Sequence, residues 1–216
     1  MPHDPSFIEY YAKRAAEYER IYHKPERQAD LETLKRLCSQ AATGHQLFEL
    51  ACGTGYWTQV ASQTANSIYA TDLNGSVLEI AQAKTYGCKI QFDQADAFSP
   101  APGKNGFTAG MAMHWWSHLR KSEVKGFLDG FHRLFQPGST MIFMDNRFVA
   151  GSSTPISRTD DEGNTYQWRQ LDDGTGHEVL KNFPMQPEVC SLLGGTAFEI
   201  YWIELQCFWF LTYRLK

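Results

Sequence analysis

The sequence predicts an α/β fold. It is a doubly wound, mostly parallel sheet of seven strands with an antiparallel C-terminal strand pair and a β-hairpin insertion. Three observations predict it. Between residues 46 and 146, short apolar runs alternate with stretches of helical period, which requires crossover connections and helices on both faces. After residue 146 the pattern changes to alternating residues around an Asp-Gly turn, the mark of a hairpin. The last two runs, FEIYWIEL and CFWFLTYRL, are joined too tightly for a crossover helix and must pair antiparallel.

The elements follow in order. Residues 6–23 (SFIEYYAKRAAEYERIYH) read as one helix. Ser6 and Glu9 have capping-box spacing, and Tyr11, Ala15, Tyr18 and Tyr22 share a face. Pro25 suits the first turn of a second helix, whose stripe is Leu31, Leu34, Leu37 and Ala41 and which stops near Gly44. QLFELA (46–51) is a buried strand, followed by a helix from about Gly55. SIYATDL (67–73), KIQFDQAD (89–96), FTAGMAMHW (107–115) and TMIFMDN (140–146) are the next strands. Helices at 76–84 and 122–135 lie between them, the second ended by Pro137-Gly138, and SPAPGKNG is a loop. TYQWRQL and HEVLKNF flank DDGTG as a hairpin, and PEVCSLLG is a short helix before the final strand pair.

At 216 residues the chain suits a single domain, 1–216, with a substantial core. A net charge of -4 argues against a partner that is mainly a phosphate backbone, so no nucleic acid is expected. Five scattered cysteines with no CxxC pair read as reduced thiols. The opening MPHDPSFIEYYAKR has no apolar signal core, and no run approaches a membrane span. A cytoplasmic protein with no membrane partner is the expectation.

A strand, a glycine turn and a helix in LFELACGTGYWTQVA raise a question about what lies against the turn. Missing Cβ atoms let a ligand approach the backbone, and in parallel sheets that ligand sits beyond the carboxyl ends of the strands. The dinucleotide fingerprint GxGxxG is not completed, because Thr58 fills its third glycine position and Tyr56 and Trp57 crowd the helix start. Glu49, four residues before Gly53, disfavours phosphate and favours a cation.

ELACGTG resembles motif I of the class I S-adenosylmethionine-dependent methyltransferases, of the small-molecule type. YATDLN, QADAF, FTAGMAMHWWSHL and FHRLFQPGSTMIFMDN resemble the later motifs in order, so the resemblance spans residues 46–146. It implies a Rossmann-like fold, S-adenosylmethionine as cofactor with S-adenosylhomocysteine as product, and no metal. It places Glu49, Ala51, Gly53 and Gly55 at the motif I turn, Asp72 and Leu73 at the ribose, Asp96 and Ala97 at the adenine, and Met113 beside the cofactor. Tyr11 and Arg14 belong to an N-terminal lid (1–43), with Arg14 the candidate for the methionine carboxylate. The cofactor-binding core is then 44–146. A vicinal diol suits one carboxylate such as Asp72, and a donor beside an acceptor suits Asp96 with the amide of Ala97.

Several residues carry competing readings. Asp93 competes with Asp96, and Tyr18 and Tyr22 are read as packing. His114 is the candidate general base, while His118 is read as a hydrogen-bonded structural residue near the acceptor. Trp115 is an acceptor contact or core, and Asn146 and Arg147 are acceptor contacts or a capped loop. The segment 147–183 is longer than a connection needs, so it covers the acceptor pocket or makes a dimer contact; 184–216 completes the sheet. The expected reaction is in-line methyl transfer to a small-molecule acceptor, by a monomer or homodimer. An NAD-dependent oxidoreductase and a non-catalytic cofactor-binding protein are the alternatives.

Overall fold

The computed structural model describes residues 5–100 and 106–216. Helix α1 (Pro5–Arg14) passes into a 3-10 helix (Ala15–His23), a 3-10 turn (Pro25–Arg27) and α2 (Gln28–Ala42). The Ser6–Glu9 capping box lies outside the described side chains, and most of the loop at 99–106 lies outside the described residues. The single helix expected over 6–23 is therefore two helices of different pitch. The tighter winding after Arg14 brings Tyr22 flat against Tyr56 at 3.9 Å between ring centres and sets Glu19 against Thr54, whose hydroxyl it accepts at 2.7 Å. Lys84 also pairs with Glu19, so this carboxylate fastens the N-terminal segment to the glycine turn and to the chain at Lys84.

Seven strands form the main sheet, in the order β3-β2-β1-β4-β5-β10-β9. They are β1 (Gln46–Leu50), β2 (Ser67–Asp72), β3 (Lys89–Gln94), β4 (Ala109–Met113), β5 (Thr140–Asn146), β9 (Ala197–Glu204) and β10 (Phe208–Leu215). The first five run parallel; β10 is antiparallel to both β5 and β9. Helices α3 (Tyr56–Ala61), α4 (Gly75–Gln82) and α5 (Val124–His132) are the crossovers, and α6 (Gln186–Leu193) precedes β9. Alternation along each strand feeds two cores. Leu47, Ile68 and Met111 pack with Leu31, Leu34 and Trp57 on one face, and Phe48, Phe143 and Trp209 pack with Phe127 and Phe131 on the other. The connections leave β1 and β4 in opposite directions across the sheet, which opens a crevice at their carboxyl ends.

The hairpin is part of a three-stranded sheet, in the order β6-β7-β8. The additional strand, β6 (Arg158–Thr159), is two residues long and too short to show a period. Gln167 pairs with Val179 and Arg169 with His177 across β7 (Thr165–Gln170) and β8 (Gly176–Leu180). Gln167 and Val179 are buried while the intervening Trp168 is 59% exposed, so one face of this sheet turns inward. Lys181 extends that face, its amide donating to the Thr165 carbonyl at 2.8 Å.

Candidate active site

Two joined hollows lie at the carboxyl ends of the parallel strands. The first, about 760 Å³ with its open mouth, is bounded by the glycine turn, the end of β2, the segment after β3 and the end of β4. Ala51 and His114 are the residues that leave β1 and β4, and both have left-handed backbones, with φ of 51° and 57°. Non-glycine residues rarely adopt that region, and such positions concentrate at functional sites. Gly53 (φ 55°) opens its vacant Cβ direction into space, whereas a Cβ on Gly55 (φ 77°) would meet the Tyr86 hydroxyl and Ala81. Gly53 thus keeps the hollow clear, and Gly55 lets α4 approach the start of α3.

Three acids have distinct placements. Asp72 accepts the Gly53 amide and the Asn74 amide, each at 2.9 Å, so one carboxylate shapes both turns that border the hollow. Burial raises its pKa against these two donors. Asp96 lines the same hollow and accepts the Phe98 amide at 2.9 Å. Glu49 lies behind the turn, 1% exposed, accepting the Thr58 hydroxyl at 2.7 Å. Burial pushes its carboxyl up to about 8, so it is largely protonated at neutral pH in the unliganded protein.

The second hollow, about 1120 Å³ with its open mouth, lies under the inward face of the small sheet. It meets the first at Tyr11, Tyr18, His114 and His118. His118 Nδ1 lies 2.8 Å from the Leu180 carbonyl, which can only accept. The ring proton is therefore on Nδ1, and Nε2 accepts the Tyr11 hydroxyl at 2.9 Å. Burial holds His118 well below the usual histidine range, as it also lowers His114. His114 differs in that neither ring nitrogen has a hydrogen-bond partner among the described residues; Asp145 is 3.7 Å away.

Asp145, fully buried near the end of β5, accepts the Ser117 amide, the Asn146 amide and Lys181 Nζ at 2.9, 2.7 and 2.9 Å. Burial alone would raise this carboxyl, but Lys181 and His114 hold it well below the usual range. Burial brings Lys181 down to about 8 against the pull of Asp145, so the pair is ionised at neutral pH. It joins the small sheet to the parallel one. Among the described residues, no group of three or more His, Cys, Asp or Glu is placed to hold a metal, and no helix is long and apolar enough to cross a membrane.

The family profile described as "Methyltransferase domain" matches residues 47–138. A solved structure described as a DhpI–SAH complex is 26% identical, covering 97% of this chain and 95% of its own, with a TM-score of 0.77. A DhpI–SAM–HEP complex is 25% identical over 97% and 96%, with a TM-score of 0.78. Residues 47–138 carry a methyltransferase domain, and these likenesses support a class I S-adenosylmethionine-dependent methyltransferase. No curated protein matches this methyltransferase in sequence. The fold extends to magnesium protoporphyrin IX methyltransferase (ChlM) from Synechocystis PCC 6803 with bound SAH, 13% identical over 92% and 93%, with a TM-score of 0.61.

Of the residues singled out in the sequence of this methyltransferase, Tyr11, Ala51, Gly53, Asp72, Leu73, Asp96, Ala97, Met113, His114, Trp115 and His118 line the first hollow. Glu49 and Gly55 stand behind its wall. Arg14 and Asn146 line the second hollow and not the first. Arg147 lines neither; it pairs with Glu204 at 2.7 Å and donates to the Leu205 carbonyl at 2.5 Å. Sequence reasoning reads Tyr18 as packing and passes over Asn74 and Val77 in the first hollow and Arg169, Lys181 and Asp145 around the second. The tyrosine face signalled Tyr18, and the two-residue period of TYQWRQ already set Gln167 and Arg169 on one face.

Proposed function

We propose that this methyltransferase moves the methyl group of S-adenosylmethionine onto a small-molecule acceptor, without a metal. One observation carries the reading: Asp72, Asp96 and the open Cβ side of Gly53 border one hollow, which joins a second through His114. Asp72 is assigned to the ribose hydroxyls, Asp96 and the Ala97 amide to the adenine edge, and Tyr11, Tyr18 and Met113 to the cofactor's walls. DhpI, described in complexes with SAH and with SAM and HEP, supports the cofactor assignment through near-complete coverage of both chains.

The acceptor occupies the second hollow, under the cover formed by 147–183. Its nucleophilic atom attacks the sulfonium methyl from the side opposite sulfur. A bond to carbon forms as the S–CH3 bond breaks, and the electron pair of that bond stays on sulfur as S-adenosylhomocysteine leaves. The sulfonium is already an activated donor, so alignment and exclusion of water supply much of the rate. For a protonated acceptor, the neutral ring of His114 is the available base. The five cysteines are free thiols, which supports a cytoplasmic location.

Calorimetric titration with S-adenosylhomocysteine tests the donor site. Wild type should bind, and Asp72→Ala should weaken binding by about 1.5–3 kcal/mol, having lost a charge-assisted contact and the anchor of two turns. Unchanged affinity would remove Asp72 from the site, and tight NAD binding with no response to S-adenosylhomocysteine would overturn the reading. Transfer of a labelled methyl group across a panel of metabolites tests the acceptor class.

A further inference from the structure

The acceptor hollow is lined by Arg14, Arg20, Lys24, Arg27, Arg169 and Lys181, with Glu17 as its lining acid among the described residues. These cations differ in how they are balanced. Arg20 is paired with Asp172 at 2.6 Å on the surface, and Lys181 with Asp145. Lys24 and Arg27 donate to Ser152, whose hydroxyl donates to Glu26 at 2.7 Å. Arg14 donates to the Tyr10 hydroxyl at 2.6 Å and lies 5.5 Å from the centres of the Tyr10 and Tyr18 rings. Arg169 donates to Gln167 Oε1 at 2.8 Å. Neither guanidinium has a carboxylate within ion-pair reach among the described residues.

Two guanidiniums facing a partly enclosed hollow without a counter-charge are costly to hold, and a bound oxyanion removes that cost through fork-shaped, charge-assisted bonds. Rigid backbone presents them. Arg169 is locked by the β7–β8 register, and Lys181 from the same inward face is fixed by Asp145 and by Ser117 Oγ at 2.6 Å. An independent feature marks the same place. His114, 6% exposed, borders both hollows with two ring nitrogens that no described residue satisfies, and a ligand seated there would supply a partner.

We infer that the methyl acceptor is a small oxyanion, bearing a carboxylate or a phosphoryl group that is gripped by Arg169 together with Arg14, with Lys181 adding field from behind. This rests on the methyltransferase reading, because it takes the second hollow as the acceptor's. It accounts for why a chain of net charge -4 gathers six cations around one cavity.

The test is calorimetry at low ionic strength on the full chain, alone and saturated with S-adenosylhomocysteine. The probes are inorganic phosphate, acetate and the neutral analogues trimethyl phosphate and acetamide. At least one anion should bind about tenfold or more tightly than its neutral analogue, and the phosphate and acetate arms distinguish the two oxyanion classes. Arg169→Gln should weaken that anion about tenfold while S-adenosylhomocysteine affinity stays within about twofold, the size expected for losing one charge-assisted contact. The inference is overturned if neither anion binds wild type, if the neutral analogues bind as tightly, or if Arg169→Gln binds the anion as wild type does. Should Arg169→Gln not fold, the anion-against-neutral comparison on wild type decides. Failure of S-adenosylhomocysteine to bind wild type overturns the methyltransferase reading instead, and the anion arms on the unloaded chain still report on this one.

Discussion

The two hollows share a mouth and have opposite electrical character. The first is built mainly at the ends of the parallel strands: a glycine turn and the acids Asp72 and Asp96, with Glu49 behind. The second is assembled from α1 and the 3-10 helix, the end of β5 and the inward face of the small sheet, and its charged side chains are mostly arginine and lysine. A donor that carries a sulfonium and an ammonium suits the acidic side, and an anionic acceptor suits the basic one. The difference teaches that charge can sort two ligands into adjoining spaces and draw them toward a common boundary, here at His114.

The sharpest way to break this arrangement is at the joint between the two regions. Lys181 and Asp145 are both almost inaccessible and paired at 2.9 Å. Lys181→Met leaves the carboxylate buried with two backbone donors and no cation, and should cost about 3–5 kcal/mol in urea unfolding. Adding Asp145→Asn should recover much of the loss, since it removes the stranded charge. A loss below about 1 kcal/mol would mean that the small sheet does not depend on this pair, and that the basic hollow is a looser structure than its register suggests.

The same contrast explains what could be read in advance. The five parallel strands, the antiparallel terminal pair and the glycine turn follow from local period and spacing, and Asp72 and Asp96 follow from their positions after strands. The break in the first helix did not show, because Tyr11, Tyr18 and Tyr22 keep a helical spacing while the backbone tightens to meet Tyr56 and Thr54. Strand β6 was too short to carry a pattern. Standing among tyrosines makes Arg14 a candidate for the donor; its guanidinium lies on the Tyr10 and Tyr18 rings and lines the second hollow, which depends on where those rings turn. Arg169 and Lys181 became functional candidates once the inward face of the small sheet was known, since alternation puts them on one face without saying which face is buried.

A second test separates the acid that borders the first hollow, Asp72, from the one behind its wall, Glu49. Glu49 has a carboxyl raised to about 8, whereas two backbone amides oppose the same burial effect at Asp72. The folded state therefore keeps a proton on Glu49 that the unfolded chain releases at its ordinary pKa of 4.5. Stability should fall as pH rises from about 4.5 to about 8, with a slope approaching 1.4 kcal/mol per pH unit from this group. Glu49→Gln should accept the Thr58 hydroxyl as the protonated acid does and flatten that slope. Denaturant melts of both proteins at pH 5, 6.5 and 8 measure it, and parallel profiles would show that Glu49 is ionised in the folded protein.

The smallest effect should come from an arginine that sequence proximity put near the acceptor. Arg147 follows Asn146 at the end of β5, yet its guanidinium turns to Glu204 and the Leu205 carbonyl at the β9–β10 turn. Both partners of the ion pair are open to solvent, 38% and 50% exposed, so the pair is screened and holds two long side chains at an entropic cost. Arg147→Ala should lower stability by less than about 1 kcal/mol and leave oxyanion binding within about twofold of wild type. Set beside Arg169→Gln, it asks whether oxyanion affinity follows basic charge anywhere near the cavity or only the guanidiniums that face into it. A tenfold loss in Arg147→Ala would mean that Arg147 swings from Glu204 to the bound acceptor, and the basic hollow would then extend to the β9–β10 turn.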